Sequence, residues 1–236
     1  MIRILLLVAA LLALPILTVA SEDSRLFLTW HAPYGMPRAS TALTVACGDT
    51  TAEDTLYLVC DPGNDSPSFL GFDATLFFHA QVGDTLGPYW RSNPDPGDPR
   101  ILRVLWEPDS TVRFPVPWRS PGLHFLRYDF TRGSGRLRMA SGARDSGYAL
   151  KYGTKYLLAR VAIHHPGLEF PDCAQPICVE WAMTTLSLWF TFDVSINRGD
   201  RFASWNSIGS RACEEFRREA AKPPLPWKPK GAGRGP

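Results

Sequence analysis

The chain has 236 residues, of which 45% are hydrophobic and 20% are charged, and its formal net charge is +2. This length suits one large domain or two small ones and allows a sizeable buried core. Apart from Arg3 and four basic residues after position 221, the chain holds 20 basic and 23 acidic residues. It therefore lacks the basic field that nucleic acids require, and we expect no nucleic-acid partner.

The first twenty residues have the pattern of a secretory signal peptide. Arg3 precedes an apolar run from Ile4 to Leu17, and small residues lead up to Ala20. The alternative is a membrane anchor, but the run is shorter than the roughly 20 residues that a bilayer span needs. We expect cleavage after Ala20 and a secreted protein (extracellular, periplasmic or at the cell surface) with no membrane span in the mature chain.

The longest clean periodicity lies in residues 68–80, SFLGFDATLFFHA. Every even position from Leu70 to Ala80 is apolar, whereas the odd positions are mixed. This period of two predicts a central strand with its even face in the core. Residues 186–196 alternate in the same way, and residues 157–163 are predicted to place Leu157, Ala159, Val161 and Ile163 on one face.

Shorter strand-like runs and turn signals fill most of the remaining chain, with no alternation of strands and helices. The pattern predicts an all-β fold, an antiparallel β-sandwich, with a closed barrel as the alternative because strand order cannot be read from the sequence. One short helix is predicted at residues 212–221, ACEEFRREAA. We expect residues 21–221 to form a single sandwich domain and residues 222–236 to be a flexible, Pro/Gly-rich basic tail.

Five cysteines in an exported chain suggest two disulfides and one free thiol. Cys47 and Cys60 end two neighbouring strand-like runs, so a hairpin with a Cys47–Cys60 bridge is predicted. Cys178–Cys213 is the favoured second pair, and Cys173–Cys178 is its rival. A zinc site made of the three later cysteines and a histidine is disfavoured by the Cys-x4-Cys spacing and by an oxidising compartment.

Catalytic constellations are weak in this sequence. RGSGR at residues 132–136 lacks the spacing of a nucleophile elbow and reads as a turn. The adjacent pair His164 and His165 would point to opposite faces of a strand and is poorly placed to chelate one metal. The loop carboxylates that could serve a hydrolase are typical turn residues; they are Asp61, Asp65, Asp84, Asp95, Asp98 and Asp109. We expect no enzyme activity, no cofactor and no metal.

Two of the eight tryptophans lie in Pro-rich loops, where an exposed ring could bind a ligand. Trp90, its neighbour Tyr89, and Trp118 form a candidate platform for a sugar ring or a partner protein. The alternative is that each loop tryptophan folds down and caps the sandwich.

Two stretches resemble cohesin-type domains. Residues 68–90, SFLGFDATLFFHAQVGDTLGPYW, are similar to an early cohesin strand and its loop, and residues 128–163 resemble a later cohesin stretch that enters a strand through Leu-Ala. The resemblance implies a jelly-roll-like sandwich of the kind that cohesins share with some carbohydrate-binding modules. It also implies a sheet face that binds a protein, as cohesins bind dockerins.

These observations predict a secreted, non-catalytic binding module for a protein or a glycan. The alternatives are a secreted, glycosidase-like hydrolase that uses loop carboxylates and a purely structural envelope protein.

Overall fold

The structure is a computed structural model of the chain. It describes residues 23–45, 47–48, 52–66, 68–81, 83, 85–91, 102–106, 114–117, 121–143, 148–165, 171–188, 193–206 and 213. The strands in these residues are β1 (Arg25–Trp30), β2 (Ala42–Leu43), β3 (Glu53–Asp61), β4 (Phe69–Ala80), β5 (Leu102–Leu105), β6 (Pro121–Phe130), β7 (Ser134–Ala143), β8 (Tyr156–His164), β9 (Ile177–Leu188), β10 (Val194–Ile196) and β11 (Phe202–Trp205). One helical turn, α1 (Pro88–Arg91), and one 3-10 turn, η1 (Pro171–Ala174), accompany them.

The described strands form two sheets that share one core. The first sheet has the order β1-β3-β8-β5, and the second has the order β2-β11-β9-β4-β7-β6 with β10 paired to β9. Neighbouring strands are antiparallel except for β2 and β11, which are parallel. The predicted all-β sandwich is confirmed. The described residues do not include the predicted signal peptide or the C-terminal tail. Of the predicted helix at 212–221, they include only Cys213.

Strand β4 lies at the centre of the larger sheet, between β7 and β9. Its even side chains Phe72, Ala74, Leu76 and Phe78 are buried, as the alternation predicts. The pattern departs at the start of the strand, where Phe69 is buried and Leu70 is only half-buried. A register shift between Phe69 and Gly71 against β9 inserts one extra residue there and turns Phe69 inward.

A second bulge changes the predicted face of β8. The register with β3 shifts between Leu58 and Val59, so that Ala159 and Leu157 are successive partners and Leu158 is passed over. Leu158 therefore joins the core, and Leu157 packs in a separate cluster on the other side of the sheet. The prediction that Leu157 shares the face of Ala159 is wrong because sequence alternation cannot register an inserted residue.

The alternation predicts that residues 186–196 form one strand, but the structure divides this run between two strands. It contains the end of β9 and all of β10, and the two pair antiparallel with Val194 opposite Leu186 and Ile196 opposite Thr184. The chain therefore reverses direction within the run. An antiparallel return keeps alternate residues on alternate faces, so the periodicity alone cannot reveal the turn.

The outer faces of the two sheets are covered differently. On the four-stranded sheet, Tyr34, Phe114 and Val116 pack over an apolar cluster of Phe27, Tyr57, Val59 and Leu157. The ring of Tyr34 stacks on Phe27 at 4.1 Å between centroids, and the ammonium of Lys155 lies 5.7 Å from the Phe27 ring centroid. This sheet therefore has an apolar outer layer of its own.

Two disulfides are formed, and one of them differs from the prediction. Cys178 pairs with Cys213, the pair favoured from the sequence. Cys47 pairs with Cys173, at a Cα–Cα distance of 6.0 Å, and Cys60 is a buried free thiol. The predicted Cys47–Cys60 bridge is wrong because the two runs do not form a hairpin: β2 joins the larger sheet beside β11, whereas β3 joins the smaller sheet between β1 and β8.

Among the helices of the described residues, none is long and apolar enough to cross a membrane.

Candidate binding face

The tyrosine and tryptophan proposed as a ligand platform are core residues. Tyr89 and Trp90 are 0% and 1% exposed. The Tyr89 hydroxyl donates to the carbonyl of His164 at 2.5 Å, and the hydroxyl of Tyr128 donates to the carbonyl of Trp90. An exposed platform built on Tyr89 and Trp90 is therefore wrong, and the alternative, in which a loop tryptophan folds down onto the sandwich, describes Trp90. Trp118 lies outside the described residues.

Trp90 closes the core by packing among other rings. Its ring lies 5.2 Å from that of Trp205 and 5.9 Å from that of Phe78, centroid to centroid. Trp205 in turn donates its indole N–H to the carbonyl of Cys173 at 2.8 Å. The helical turn α1 thus closes one end of the sandwich, because the Trp90 ring packs on core rings of β4 and β11.

His164, the last residue of β8, and His165, which follows it, pair with carboxylates on opposite sides of the sheet. His164 Nε2 lies 3.0 Å from a Glu53 carboxylate oxygen, and His165 Nε2 lies 2.6 Å from Asp54 Oδ2. This is the opposed geometry expected of neighbours on a strand. Within the described residues, no group of three His, Cys, Asp or Glu side chains could hold a metal ion.

Asp61 and Asp65 serve turns where the structure describes them. Asp61 accepts the backbone N–H of Gly63 at 3.1 Å. Asp65 accepts the backbone N–H of Tyr152 at 2.6 Å, and this hydrogen bond lowers the pKa of Asp65 below its ordinary value. The other loop carboxylates considered for a hydrolase, namely Asp84, Asp95, Asp98 and Asp109, lie outside the described residues.

The outer face of the seven-stranded sheet bears exposed apolar side chains next to a groove. Phe125 lies opposite Ala140 on β7, and Ala140 lies opposite Asp73 on β4. Leu123 is 91% exposed and Phe125 is 49% exposed. Together they border a groove of about 340 Å³ that crosses from β6 to β9. We call this groove and its two apolar side chains the β6 groove.

Small residues make the floor of the β6 groove. Gly71 lies directly opposite Gly142, with Ala140 and Ser187 nearby. A Cβ atom at Gly71 would collide with the Ser141 carbonyl oxygen and lie 3.0 Å from the Cα of Gly142, whereas a Cβ at Gly142 would meet only the Leu70 carbonyl oxygen, at 3.8 Å. Gly71 is therefore required by the close approach of β7, and Gly142 keeps the groove open.

On the other face of β6 from the groove, His124 contacts Trp106 and Ser141. The ring of His124 stacks on Trp106 at 4.5 Å between centroids, with an interplanar angle of 6°, and a His124 ring nitrogen lies 3.1 Å from the Ser141 hydroxyl. Burial lowers the pKa of His124 below its ordinary value, which favours the neutral ring at neutral pH. The strand that carries Leu123 and Phe125 is thus held between them by the contacts of His124, a side chain that is itself largely exposed.

Next to the groove, the same face carries a ladder of opposite charges. Arg136 donates two hydrogen bonds to Asp129, at 3.0 and 2.9 Å, and Arg127 lies 3.3 Å from the same carboxylate. The hydrogen bonds from Arg136 lower the pKa of Asp129 below its ordinary value. Nearer the groove, Arg138 lies 3.5 Å from Asp73, which is one of the lining residues. The face therefore combines an apolar groove with a charged border, an arrangement typical of protein interfaces.

At the far end of the face lies a more buried polar cluster. Glu180 Oε2 lies 3.2 Å from His79 Nε2, and its other oxygen lies 2.7 Å from an Arg201 nitrogen. Burial opposes ionisation of Glu180, but the hydrogen bond with His79 and the charge of Arg201 prevail and lower its pKa below the ordinary value. Close by, Phe202 packs with the Cys178–Cys213 bridge.

Sequence reasoning did not single out Leu123 and Phe125. The signal available was the alternation in LHFLRYDF, which places them on the same side as Arg127 and Asp129. Contiguous exposed apolar residues on a charged strand face mark an interaction surface, whereas single ones are ordinary. The sequence does not say which face of β6 points to the core, because this depends on the pairing of β6 with β7.

Comparisons with known proteins reveal similarity in structure alone. No protein-family model and no curated protein matches the sequence. The chain is similar to a type II cohesin domain from the cellulosome of Acetivibrio cellulolyticus, with 10% identity, a TM-score of 0.38, and coverage of 78% of this chain and 95% of that one. It is also similar to the second type II cohesin module of the adaptor ScaA scaffoldin of the same organism, with 11% identity, a TM-score of 0.33, and coverage of 72% and 82%.

Proposed function

We propose that the protein is a binding module that holds a protein partner at the β6 groove. The observation that supports this proposal is the exposure of Leu123 and Phe125 beside a groove with a glycine and alanine floor. Contiguous exposed apolar side chains rimmed by polar residues mark interaction sites, protein interfaces among them. The charged ladder of Arg127, Asp129 and Arg136 would form the polar border of such an interface.

The energetics favour an apolar anchor from the partner. Fully burying a Leu or Phe side chain contributes about 1.5–3 kcal/mol, and part of this offsets the loss of rotational and translational freedom on association. The floor of the groove is low because Gly142 has no side chain. A partner side chain of moderate size could therefore lie in the groove between Phe125 and Ser187.

A protein partner fits these residues better than a glycan does. Sugar recognition uses flat aromatic rings whose faces are available for stacking. Tyr89 and Trp90 are buried, and Phe125 supplies a single half-exposed ring at the groove rather than a row of them. Leu123, the most exposed large apolar side chain among the described residues, offers no such face. Glycan binding remains the competing outcome of the test below.

We further propose that the module is secreted and non-catalytic. The signal-peptide pattern of residues 1–20 and the two disulfides support export, because disulfides persist in oxidising compartments.

The test uses the immobilised protein to capture partners from cell-surface and culture-medium fractions, followed by affinity measurements with the purified partner. Phe125→Ala removes the aromatic wall, and Gly142→Val fills the floor at a position with free space. Each is expected to weaken binding by at least about tenfold, the scale of an interface hot spot. Tyr152→Ser, a change at a residue that is 65% exposed away from the groove, is the matched control and should retain binding.

Unfolding curves must show that all three variants are folded. A partner that binds the wild type, Phe125→Ala and Gly142→Val equally would overturn the groove as the site. Binding to a glycan array that both groove variants abolish would keep the site and replace the protein partner with a glycan.

A further inference from the structure

Among the described residues, strand β6 is the longest edge strand, and one of its two edges has no neighbouring strand. On the smaller sheet, the outer edge of β1 is bonded to another segment: Leu26 N–H donates to Arg198 O at 2.6 Å and Leu28 N–H to Asp200 O at 2.9 Å. The remaining edge strands β2, β5 and β10 have two, four and three residues. Strand β6 has ten, and among the described residues only β7 pairs with its backbone.

At alternate residues of β6, the backbone has N–H and C=O groups that no described residue bonds. Thr131 N–H donates to Ser134 O at 2.8 Å across the hairpin turn. Hydrogen-bonded and non-bonded pairs alternate along an antiparallel ladder, so the odd residues from 125 to 131 bond to β7. The N–H and C=O groups of Leu126, Tyr128 and Phe130 therefore point away from the sheet, where an added strand could bond them.

We propose that a second copy of this chain pairs with this edge, antiparallel and centred on Tyr128, so that two seven-stranded sheets join across a two-fold axis. The charges of the strand support this occupant. In this register Arg127 lies opposite Asp129 of the second copy, and Asp129 lies opposite its Arg127. Opposite charges directly across an antiparallel pair stabilise it.

Neighbouring registers are disfavoured by the same two residues. Only the even-numbered residues of β6 direct backbone groups to the second copy. The register between the two copies of β6 can therefore change only in steps that keep even residues opposite even residues. One such step places Arg127 opposite Arg127, and the step in the other direction places Asp129 opposite Asp129. Like charges directly opposite destabilise a pair, so the strand sequence selects the register centred on Tyr128.

Apolar contacts on the other side of the strand agree with this register. Phe130 is 50% exposed in the single chain, and Leu126 is half-buried against the core. Pairing about Tyr128 sets Leu126 opposite Phe130 of the second copy, twice in each dimer. The contact would cover a large apolar side chain that the single chain leaves in water.

The mass of the disulfide-intact protein, measured by light scattering over a range of concentrations, tests the proposal. We expect a dimer whose dissociation constant rises at least tenfold in Arg127→Glu and returns toward the wild-type value in the double variant Arg127→Glu with Asp129→Arg. Phe130→Pro removes an N–H that β7 does not use and should give a monomer that still unfolds cooperatively. Gly142→Val should leave dimerisation unchanged, so the edge and the groove are tested separately.

Cysteine cross-linking reads the register directly. In a glutathione redox buffer, Arg127→Cys with Asp129→Cys should give a covalent dimer on a non-reducing gel, because the two positions face each other between copies. Arg127→Cys alone should not cross-link. A chain that is monomeric up to about 100 μM, a scale set by weak association, would overturn the proposal. So would a dimer that is insensitive to Arg127→Glu, or one cross-linked by Arg127→Cys alone.

Discussion

Gly135 packs against the hydroxyl end of the Tyr128 side chain. A Cβ atom at position 135 would lie 2.7 Å from Tyr128 Cζ and closer still to the hydroxyl. That hydroxyl donates to the carbonyl of Trp90, so Gly135 sets the position of a ring that ties β6 to the plug of the core. Gly135 of β7 thus supports Tyr128 of β6, which in turn bonds to α1.

Gly135→Ala is therefore expected to lower the free energy of unfolding by about 1–3 kcal/mol, the usual cost of overpacking. The ring of Tyr128 must shift and weaken its bond to Trp90. Gly142→Ala is the matched control on the same strand, because its Cβ has free space, and it should change stability by less than about 0.5 kcal/mol. Urea unfolding followed by tryptophan fluorescence measures both; equal effects would contradict the close packing at Gly135.

The two disulfides should differ in their contribution to stability. Cys47–Cys173 spans 126 residues and Cys178–Cys213 spans 35. Since a cross-link restricts the unfolded chain more when its loop is longer, replacing the first pair with serines should cost about 4–5 kcal/mol and the second about 3–4 kcal/mol. Peptide mapping without reduction checks the pairing. A Cys47–Cys60 peptide would contradict the placement of β2 and β3 in opposite sheets.

Glu180 should make stability depend on acid pH. Its pKa in the folded protein lies below the ordinary value, so its ionised form stabilises the fold above the ordinary glutamate pKa of about 4.3. This stabilisation is lost as the pH falls through the lowered pKa. The difference in unfolding free energy between the wild type and Glu180→Gln should be largest at neutral pH and shrink below about pH 4. Urea midpoints measured from pH 7 to pH 3 test this, and a difference that stays constant with pH would refute it.

The sequence predicted the class of fold because alternation is a local property. The buried even positions of β4, from Phe72 to Phe78, follow directly from the pattern. The bulges at Leu70 and Leu158 do not, since an inserted residue is visible only against its partner strand. The turn between β9 and β10 is hidden for the same reason, because alternation continues on both sides of it.

Partners distant in sequence were predicted less well. Cys47 and Cys60 were paired because they end consecutive runs, yet their strands enter different sheets, and Cys47 meets Cys173 instead. The prolines and glycines in the sequence around Trp90 predict an exposed loop residue, but the Trp90 ring packs in the core beside Trp205. The groove at Phe125 is likewise made by four strands whose order the sequence does not state.

The Cys47–Cys173 bridge has a mechanical consequence. If the oxidised protein were pulled by its two ends, force would pass across this bridge and across Cys178–Cys213, and the segments enclosed by each would be shielded from extension. The chain could lengthen only through the segments before Cys47 and after Cys213 and through the short stretch between the bridges. Strand β1 lies in the first of these segments, so it would peel from β3 while β4 and its neighbours stayed folded.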